Sequence, residues 1–427
     1  MSDCDETVMR VLVVSATFPS SVDPTRGIFV KERIAALDRI PGVEVRVIAP
    51  TPWAPPIRSI PSWYERSQFP QHEFVDGLSV SRPRYPLPPK VGGYIHPQLM
   101  YPALLKEAKR IHQAFPFDLI DAHFVYPSGV AATRVARHFR VPVCMTGRGA
   151  DMLRFPSYPL KGRPIRWALR NCDGSIALSS EIAEAMIING AAKESVALIP
   201  NGVDTNKFRP ADSAQCRAEL GLPQAKTILL SVGDRIALKG FQVIVEALPK
   251  VLQRRPDVMY VCVGGPGRHG TDFTSQLRSA IARLGLSDRV LFPGICEHDQ
   301  LYKWHNASDL YVLASSREGS PNALLEALAC GLPAVSTRVG GAPDEIEKTG
   351  YGIIMRERSA IAAADAILAA CDRQWNREQI RHGMENRSWD VTARHVLQHF
   401  CSLLPESKAS RLQVAKLSAC TASISGD

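Results

Sequence analysis

The sequence predicts an α/β chain built as two doubly wound parallel-sheet domains facing across a cleft, and three observations carry that prediction. Apolar, β-branched runs of four to seven residues alternate with longer helical patterns through nearly the whole chain. The alternation starts afresh after a turn-rich stretch at 200–210, IPNGVDTNKFRP. The runs are continuously apolar, as strands buried on both faces must be, and such strands form parallel sheets covered by helices.

In the first half, strands are expected at 9–15, 43–49, 78–81, 118–123, 141–146, 174–178 and 196–199, with helices at 29–38, 102–114 and 129–138. In the second half, strands are expected at 227–232, 259–263, 290–292, 310–314 and 334–337, with helices at 241–254, 273–284 and 322–330. The expected domains are 1–204 and 205–385, followed by a helical segment at 386–404 that packs on either domain and a polar, Ser- and Ala-rich tail at 405–427. Ligands of such sheets bind beyond the carboxyl ends of the strands, which puts the active site in the cleft.

The chain has 427 residues, 45% hydrophobic and 22% charged, a balance that supports large cores and excludes a wholly disordered or fibrous protein. No apolar run is long enough to span a bilayer, and the acidic start MSDCDETVMR does not read as a secretory signal. Ten cysteines lie scattered with no C-x-x-C pair, which reads as reduced thiols in a cytoplasmic protein rather than a disulfide framework or zinc site. The net charge is +9, but residues 77–172 hold 15 Lys and Arg against 4 Asp and Glu, so the basic excess lies in the first domain. That asymmetry suits a phosphorylated substrate or an anionic membrane surface, or it is a set of solvated helix faces. Nucleic acid is disfavoured, since no recognition motif accompanies it.

The strongest local signal is Glu318-Gly-Ser-Pro-Asn-Ala-Leu-Leu-Glu326, followed by ALACGLP. Ser320 suits an N-cap, Pro321 the first helical position, and Gly331 with Pro333 stops the helix. Glu318 then lies in the loop before the helix, and Glu326 projects from it two turns on. Free amides around 319–322 form a natural seat for a phosphate, flanked by carboxylates able to accept sugar hydroxyls. With 42 acidic residues in the chain, spacing alone would supply several such pairs by chance; the turn chemistry around this one makes it specific. A second signal is Gly233-Asp234-Arg235-Ile-Ala-Leu-Lys239-Gly240, where glycines permit close backbone approach and Lys239 could reach an anion. It is neither a Walker loop nor a GxGxxG fingerprint, and such a turn is often purely structural.

Together the phrases EGSPNALLEALACGLPAVSTRVGGAPDEI, SVGDRIALKGF and IPNGVDTNKFRP resemble the retaining nucleotide-sugar glycosyltransferases of family 4, of the GT-B fold with two Rossmann-like domains. The segments ATFPSSVDPTRGIFVKERIAAL and DLIDAHFVYPSGVAA resemble the N-terminal half of the same family, in the bacterial branch that builds teichuronic-acid-like and exopolysaccharide chains. The likeness runs over about residues 10–400.

The resemblance implies that Glu318 holds donor-sugar hydroxyls, Glu326 the ribose, and Gly319, Ser320, Pro321 and Asn322 the backbone-lined pocket between them. It implies that Lys239 neutralises the leaving diphosphate, that Gly27 brings backbone amides to it, and that His123 lies near the donor's anomeric centre. This sequence departs from the family twice. The arginine of the Lys-Gly loop is shifted to Arg235, behind Asp234, and the Thr-x-His-Gly-x-Asp phrase carries Arg148 in place of His. Arg148 either contacts an anionic donor or acceptor group or pairs with Asp151.

The implied activity is hexosyl transfer with retention, from a nucleotide-diphosphate sugar to a saccharide or polyprenyl-diphosphate-linked acceptor, in bacterial cell-surface or exopolysaccharide synthesis. No cofactor and no metal is expected, because Lys239, Arg235 where it turns inward to the donor diphosphate, and a helix N-terminus supply the positive field; the only Asp-x-Asp, Asp3-Cys4-Asp5, lies in the N-terminal extension. The expected location is the cytoplasm, with peripheral contact on the inner face of the plasma membrane through Arg82, Arg84, Lys90, 94–101 and the helix carrying Lys106, Lys109 and Arg110; an ordinary ordered loop is the competing reading. Two other functions suit the same fold: a nucleotide-sugar 2-epimerase, and a catalytically silent nucleotide-sugar-binding subunit.

Overall fold

A computed structural model of the protein describes residues 8–89, 92–267 and 271–405. Asp3-Cys4-Asp5, Lys90 and the tail beyond Pro405 lie outside the described residues. The chain divides into two compact units, Met1–Asn201 with Trp389–Asp427, and Gly202–Ser388. Both crossings differ by three residues from the expected boundaries at 204 and 385. The reason is local: Val203 N–H donates to Arg387 O at 2.8 Å and Val203 bridges to Ser388, so both ends are drawn into the second unit.

The first unit holds an eight-stranded sheet. Its strands are β1 (Met9–Ser15), β2 (Val43–Ile48), β3 (His72–Val75), β4 (Leu78–Ser81), β5 (Leu119–His123), β6 (Val143–Gly147), β7 (Gly174–Ala177) and β8 (Val196–Leu198). The order is β8-β7-β6-β5-β1-β2-β4-β3, parallel except for the β3–β4 hairpin. From β1 the chain winds outward through β2 and then returns to add β5 on the other side, so β1 and β5 flank the switch point. Side chains of β1 alternate between two cores: Leu12 and Val14 face one, Val11 and Val13 the other. The second core includes Trp389, Ala393, Val396, Leu397 and Phe400 of the last helix, Trp389–Leu403, which packs on the first unit beside the helix Ile28–Asp38. Burying each of these aliphatic or aromatic side chains contributes roughly 1.5–3 kcal/mol.

The hairpin strand β3 was not expected. Its side chains alternate exposed and half-buried, so it lacks a continuous apolar run; the signal for it is Asp76-Gly77, both at positive φ, as a tight two-residue hairpin turn requires.

The second unit holds a six-stranded, wholly parallel sheet of β9 (Thr227–Val232), β10 (Val258–Val263), β11 (Val290–Gly294), β12 (Leu310–Leu313), β13 (Ala334–Ser336) and β14 (Gly352–Ile354). Its order is β11-β10-β9-β12-β13-β14, so the switch point lies between β9 and β12. Ile228 and Leu230 of β9 enter one core and Leu229 the other. The Ala-rich helix Ala360–Asp372 packs against the helix Phe241–Arg254 on the Leu229 side. No helix among the described residues is long and apolar enough to cross a membrane.

Candidate active site

The second unit's switch point is flanked by the loops that follow β9 and β12, and these carry Lys239 and Glu318. Lys239 closes a short turn, Ala237–Lys239, and Gly240 begins the next helix at φ 73°. Only glycine fits there, since a Cβ would stand 1.9 Å from Ala314 O. Ser316 N–H donates to Leu238 O at 2.8 Å, and Arg358 donates to Ala314 O at 2.9 Å and to Ala237 O at 3.3 Å. The two loops are thereby stitched together, and Lys239 Nζ meets Glu318 Oε1 at 2.8 Å. Ser315 Oγ donates to the same oxygen at 2.6 Å. Sequence reasoning did not single out Ser315 or Arg358.

Ser320 does not cap the following helix. It runs Asn322–Ala329, with Pro321 at the cap position and no side-chain cap hydrogen bond, so it starts later than a Ser320 cap implies. Among the described residues the N–H groups of Gly319 and Ser320 take no partner. These two N–H groups lie just before the cap position and can donate to an anionic ligand.

Glu326 is the fifth residue of that helix, little more than one turn in, and is buried. His298 Nε2 stands 2.9 Å from its Oε1, and His305 Nε2 stands 3.8 Å from Oε2, beyond hydrogen-bond reach. Burial alone would raise the carboxyl's pKa, but the His298 contact and the neighbouring His305 outweigh it, so Glu326 titrates below the usual carboxylate range. His305 is fully buried with neither ring nitrogen hydrogen-bonded, and the buried Tyr311 hydroxyl is likewise without a hydrogen-bond partner among the described residues. Neither histidine was legible in advance, because both come from the helical segment before β12 and only folding brings them to Glu326.

Arg235 is not free to face a ligand as Lys239 is. It is buried, donates from Nε to Thr274 Oγ1 at 2.9 Å and from Nη1 to Gly264 O at 2.5 Å, and lies over the Phe292 ring at 5.3 Å. It braces the loop after β10, and Lys239 is the one of the two that reaches Glu318.

In the first unit His123 ends β5 at the switch point, paired in register with Ser15 of β1 and Thr146 of β6. It is fully buried. Arg33, also buried, donates to Asp121 Oδ2 at 2.6 Å and to Thr146 Oγ1 at 2.9 Å, and Asp121 Oδ2 lies 3.0 Å from His123 Nε2. Arg148 donates to His123 Nδ1 from Nε at 3.1 Å and Nη2 at 2.8 Å. A guanidinium only donates, so Nδ1 is an acceptor, while Nε2 lies between Asp121 Oδ2 at 3.0 Å and Arg33 Nη2 at 2.8 Å. Burial first, and then the Arg33 charge, push the imidazole pKa down to about 3, so the ring is neutral at physiological pH. Both ring nitrogens are engaged, and His123 has none to offer as a general base.

The Arg148 side chain does not pair with Asp151; only its main-chain N–H does, at 3.0 Å. Asp151 also accepts from Gly149 N at 2.8 Å and Val125 N at 2.8 Å, tying the loops after β5 and β6 together. Gly27 precedes the helix Ile28–Asp38 in left-handed conformation, where a Cβ would lie 2.5 Å from Thr17 O, and that helix has no side-chain cap.

The expected basic face is largely turned inward. Arg82 is buried against Glu73 at 2.7 Å, Arg84 donates to Arg66 O at 2.8 Å, and Tyr85 is buried beside His96. Arg134 and Arg137 lie over Trp167. Of the helix cations, Arg110 pairs with Glu107 at 2.6 Å.

Comparison with known proteins agrees with this architecture. Residues 27–207 match the family described as Glycosyltransferase Family 4, and residues 212–387 match Glycosyl transferases group 1. The chain is 28% identical over 365 residues to TuaC of Bacillus subtilis, named as a teichuronic acid biosynthesis glycosyltransferase, covering 84% of this chain and 88% of TuaC. It is 32% identical over 289 residues to the D-inositol 3-phosphate glycosyltransferase of an Arthrobacter species, covering 65% and 68% of the two chains. Among solved structures it resembles Anabaena HepE in complex with UDP, with TM-score 0.70, 21% identity and coverage of 92% of this chain and 100% of HepE. It also resembles sucrose-phosphate synthase from Thermosynechococcus elongatus, with TM-score 0.67, 20% identity and coverage of 98% and 100%. At these identities the structural likeness establishes the fold, two Rossmann-like domains of the GT-B type. With both halves matched, the chain belongs to glycosyltransferase family 4 and is a glycosyltransferase.

Proposed function

We propose that the protein transfers a hexosyl group, with retention and without a metal ion, from a nucleotide-diphosphate sugar to a saccharide or polyprenyl-diphosphate-linked acceptor in bacterial cell-surface or exopolysaccharide synthesis. The observation that carries the proposal is the second unit's paired carboxylates: Glu318 held by Lys239 and Ser315 before an uncapped helix, and Glu326 held by His298 within it. HepE has been solved with UDP and with UDP-glucose, which supports a nucleotide-sugar donor, and the name of TuaC supports a polysaccharide acceptor.

In this reading Glu326 accepts hydrogen bonds from the ribose and Glu318 from the sugar. The open N–H groups of Gly319 and Ser320 and the Lys239 ammonium take up the charge that develops on the departing diphosphate. Lys239 is paired with Glu318, so a bound phosphate competes for the ammonium. The acceptor hydroxyl attacks from the leaving-group face; its oxygen bonds to the anomeric carbon as the carbon–phosphate-oxygen bond breaks, and its proton passes to the leaving phosphate. A His123 with both nitrogens engaged supports this, since it leaves that proton no imidazole to go to. The imidazole's role is to orient the donor, and Gly27 brings main-chain N–H groups toward the diphosphate. Peripheral contact with anionic lipid through Lys106 and Lys109, on the inner face of the plasma membrane, is part of the proposal, carried by charge alone.

The test is a thermal-shift panel of UDP-, GDP-, ADP- and TDP-sugars with and without EDTA. A ligand at 100 times its Kd adds about 2.7 kcal/mol of stability. One nucleotide class should stabilise the chain with EDTA present and lose its effect in Glu326→Ala; no shift with any class would overturn the donor site.

A further inference from the structure

The Arg148 guanidinium is a cation with no carboxylate of its own. Among the described residues it forms no ion pair, whereas the other arginine of the cluster, Arg33, is matched by Asp121 at 2.6 Å. Asp151, the nearest acid in sequence, directs its oxygens to the main-chain N–H groups of Val125, Arg148 and Gly149. Two of the five N–H donors of Arg148 converge on the one lone pair of His123 Nδ1, leaving three without a partner among the described residues in a half-buried residue whose pKa burial and then the Arg33 charge lower to about 9, so that it stays a cation at neutral pH.

The guanidinium is also held in place from behind. His123 Nε2 is held between Asp121 and the buried Arg33, which pair with each other at 2.6 Å. The plane and direction of Arg148 are thus set before any ligand arrives. Its loop follows β6 at the carboxyl edge of the first sheet, two strands from β1 and next to the switch point, where open sheets of this kind hold ligands. A planar fork with spare parallel N–H groups suits a carboxylate or phosphate, and loses little freedom on binding one. The resemblance has histidine at this position, and a neutral histidine offers a single N–H.

We infer that Arg148 is a specificity-determining residue that pairs with an oxyanion, carboxylate or phosphate, carried by the transferred sugar or by the acceptor. The enzyme then prefers an acidic saccharide substrate to its neutral counterpart. This deepens the transfer reading above and rests on it. Arg33 and Asp121 are positioning residues for the same contact.

The experiment compares the full-length chain with Arg148→Gln and Arg148→Lys in thermal-shift and binding titrations. Donor probes are UDP-glucuronic acid against UDP-glucose and GDP-mannuronic acid against GDP-mannose, with UDP and GDP alone as references. Acceptor-side probes are methyl glucuronide against methyl glucoside, and glucose 6-phosphate against glucose. The acidic member of at least one pair should bind wild type about ten-fold or more tightly than the neutral one, the worth of a charge-assisted hydrogen bond. That preference should vanish in Arg148→Gln and partly return in Arg148→Lys. A donor pair behaving so places the oxyanion on the transferred sugar, and an acceptor pair places it on the acceptor. No Arg148-dependent preference in any pair overturns the inference. An equal loss of binding for UDP or GDP alone also overturns it, by assigning the guanidinium to the diphosphate. Retained UDP or GDP binding in Arg148→Gln shows that the variant is folded, and absence of nucleotide binding in wild type sinks the transfer reading instead.

Discussion

Among the described residues Asp121 Oδ2 is met by Arg33 and His123 and Oδ1 has no hydrogen-bond partner, so replacing Arg33 with Met leaves this buried carboxylate with His123 alone. Asp121 is fully buried; burial works to raise its pKa, but the Arg33 charge and then the His123 contact hold the carboxyl well below the usual range. Arg33→Met leaves that charge stranded, and breaking one side of a buried pair costs about 3–5 kcal/mol. A domain is stable by only about 5–15 kcal/mol, so the variant should unfold at markedly lower urea. Arg33→Met with Asp121→Leu removes both charges and should recover most of the loss, since an apolar replacement of a whole buried pair is often neutral. The coupling has a defined pH dependence. A depressed folded pKa means that the stabilisation is complete above the unfolded value of about 4 and is lost only as pH falls through the folded value. In Arg33→Met desolvation instead pushes the stranded carboxyl's pKa up, so it takes up a proton as pH falls and the deficit should be smaller at pH 5 than at pH 7. Urea titrations followed by tryptophan fluorescence at pH 7 and pH 5 measure it. A deficit under about 1 kcal/mol, as surface pairs give, or a double variant no better than the single one, would refute the reasoning.

Three further outcomes follow from the second unit. Lys239→Met should lower kcat by about 100- to 1,000-fold, as loss of one group stabilising a transition-state charge does, with a smaller change in donor KM; steady-state transfer kinetics check this. His298→Ala removes the hydrogen bond that offsets the burial of Glu326, so the carboxyl's pKa should rise and nucleotide affinity should begin to fall at a higher pH than in wild type; wild-type affinity should stay flat down to about pH 5. Titration of UDP or GDP across pH reads the shift. Gly240→Ala must adopt φ 73° with a Cβ 1.9 Å from Ala314 O, and should cost at least about 2 kcal/mol in urea unfolding while displacing the Lys239 loop.

Strands buried on both faces were read closely from sequence: β1 and β9 occupy the expected 9–15 and 227–232, because continuous β-branched runs have no competing helical reading at that length. Of the edge strands, β8 and β11 were expected, at 196–199 and 290–292, and β3 and β14 were not. β3 is half exposed and β14 has only three residues, all partly exposed, so neither shows the apolar run that the reasoning used. Glu318, Lys239 and Glu326 were legible because turn residues and a short helix place them locally. Their supports were not, since Arg33 to Asp121 spans 88 residues and His298 to Glu326 spans 28. The Ser320 cap failed because the helix starts at Asn322, one residue later than a Ser320 cap implies, with Pro321 in the cap position.

The most direct measurement is proton NMR of a transfer reaction run in EDTA, with the nucleotide sugar found in the thermal-shift panel as donor. The account predicts release of the nucleoside diphosphate and a glycosidic product whose anomeric coupling matches that of the donor, both greatly slowed in Glu318→Gln. A product of inverted configuration, or turnover abolished by EDTA and restored by Mn²⁺, would contradict it.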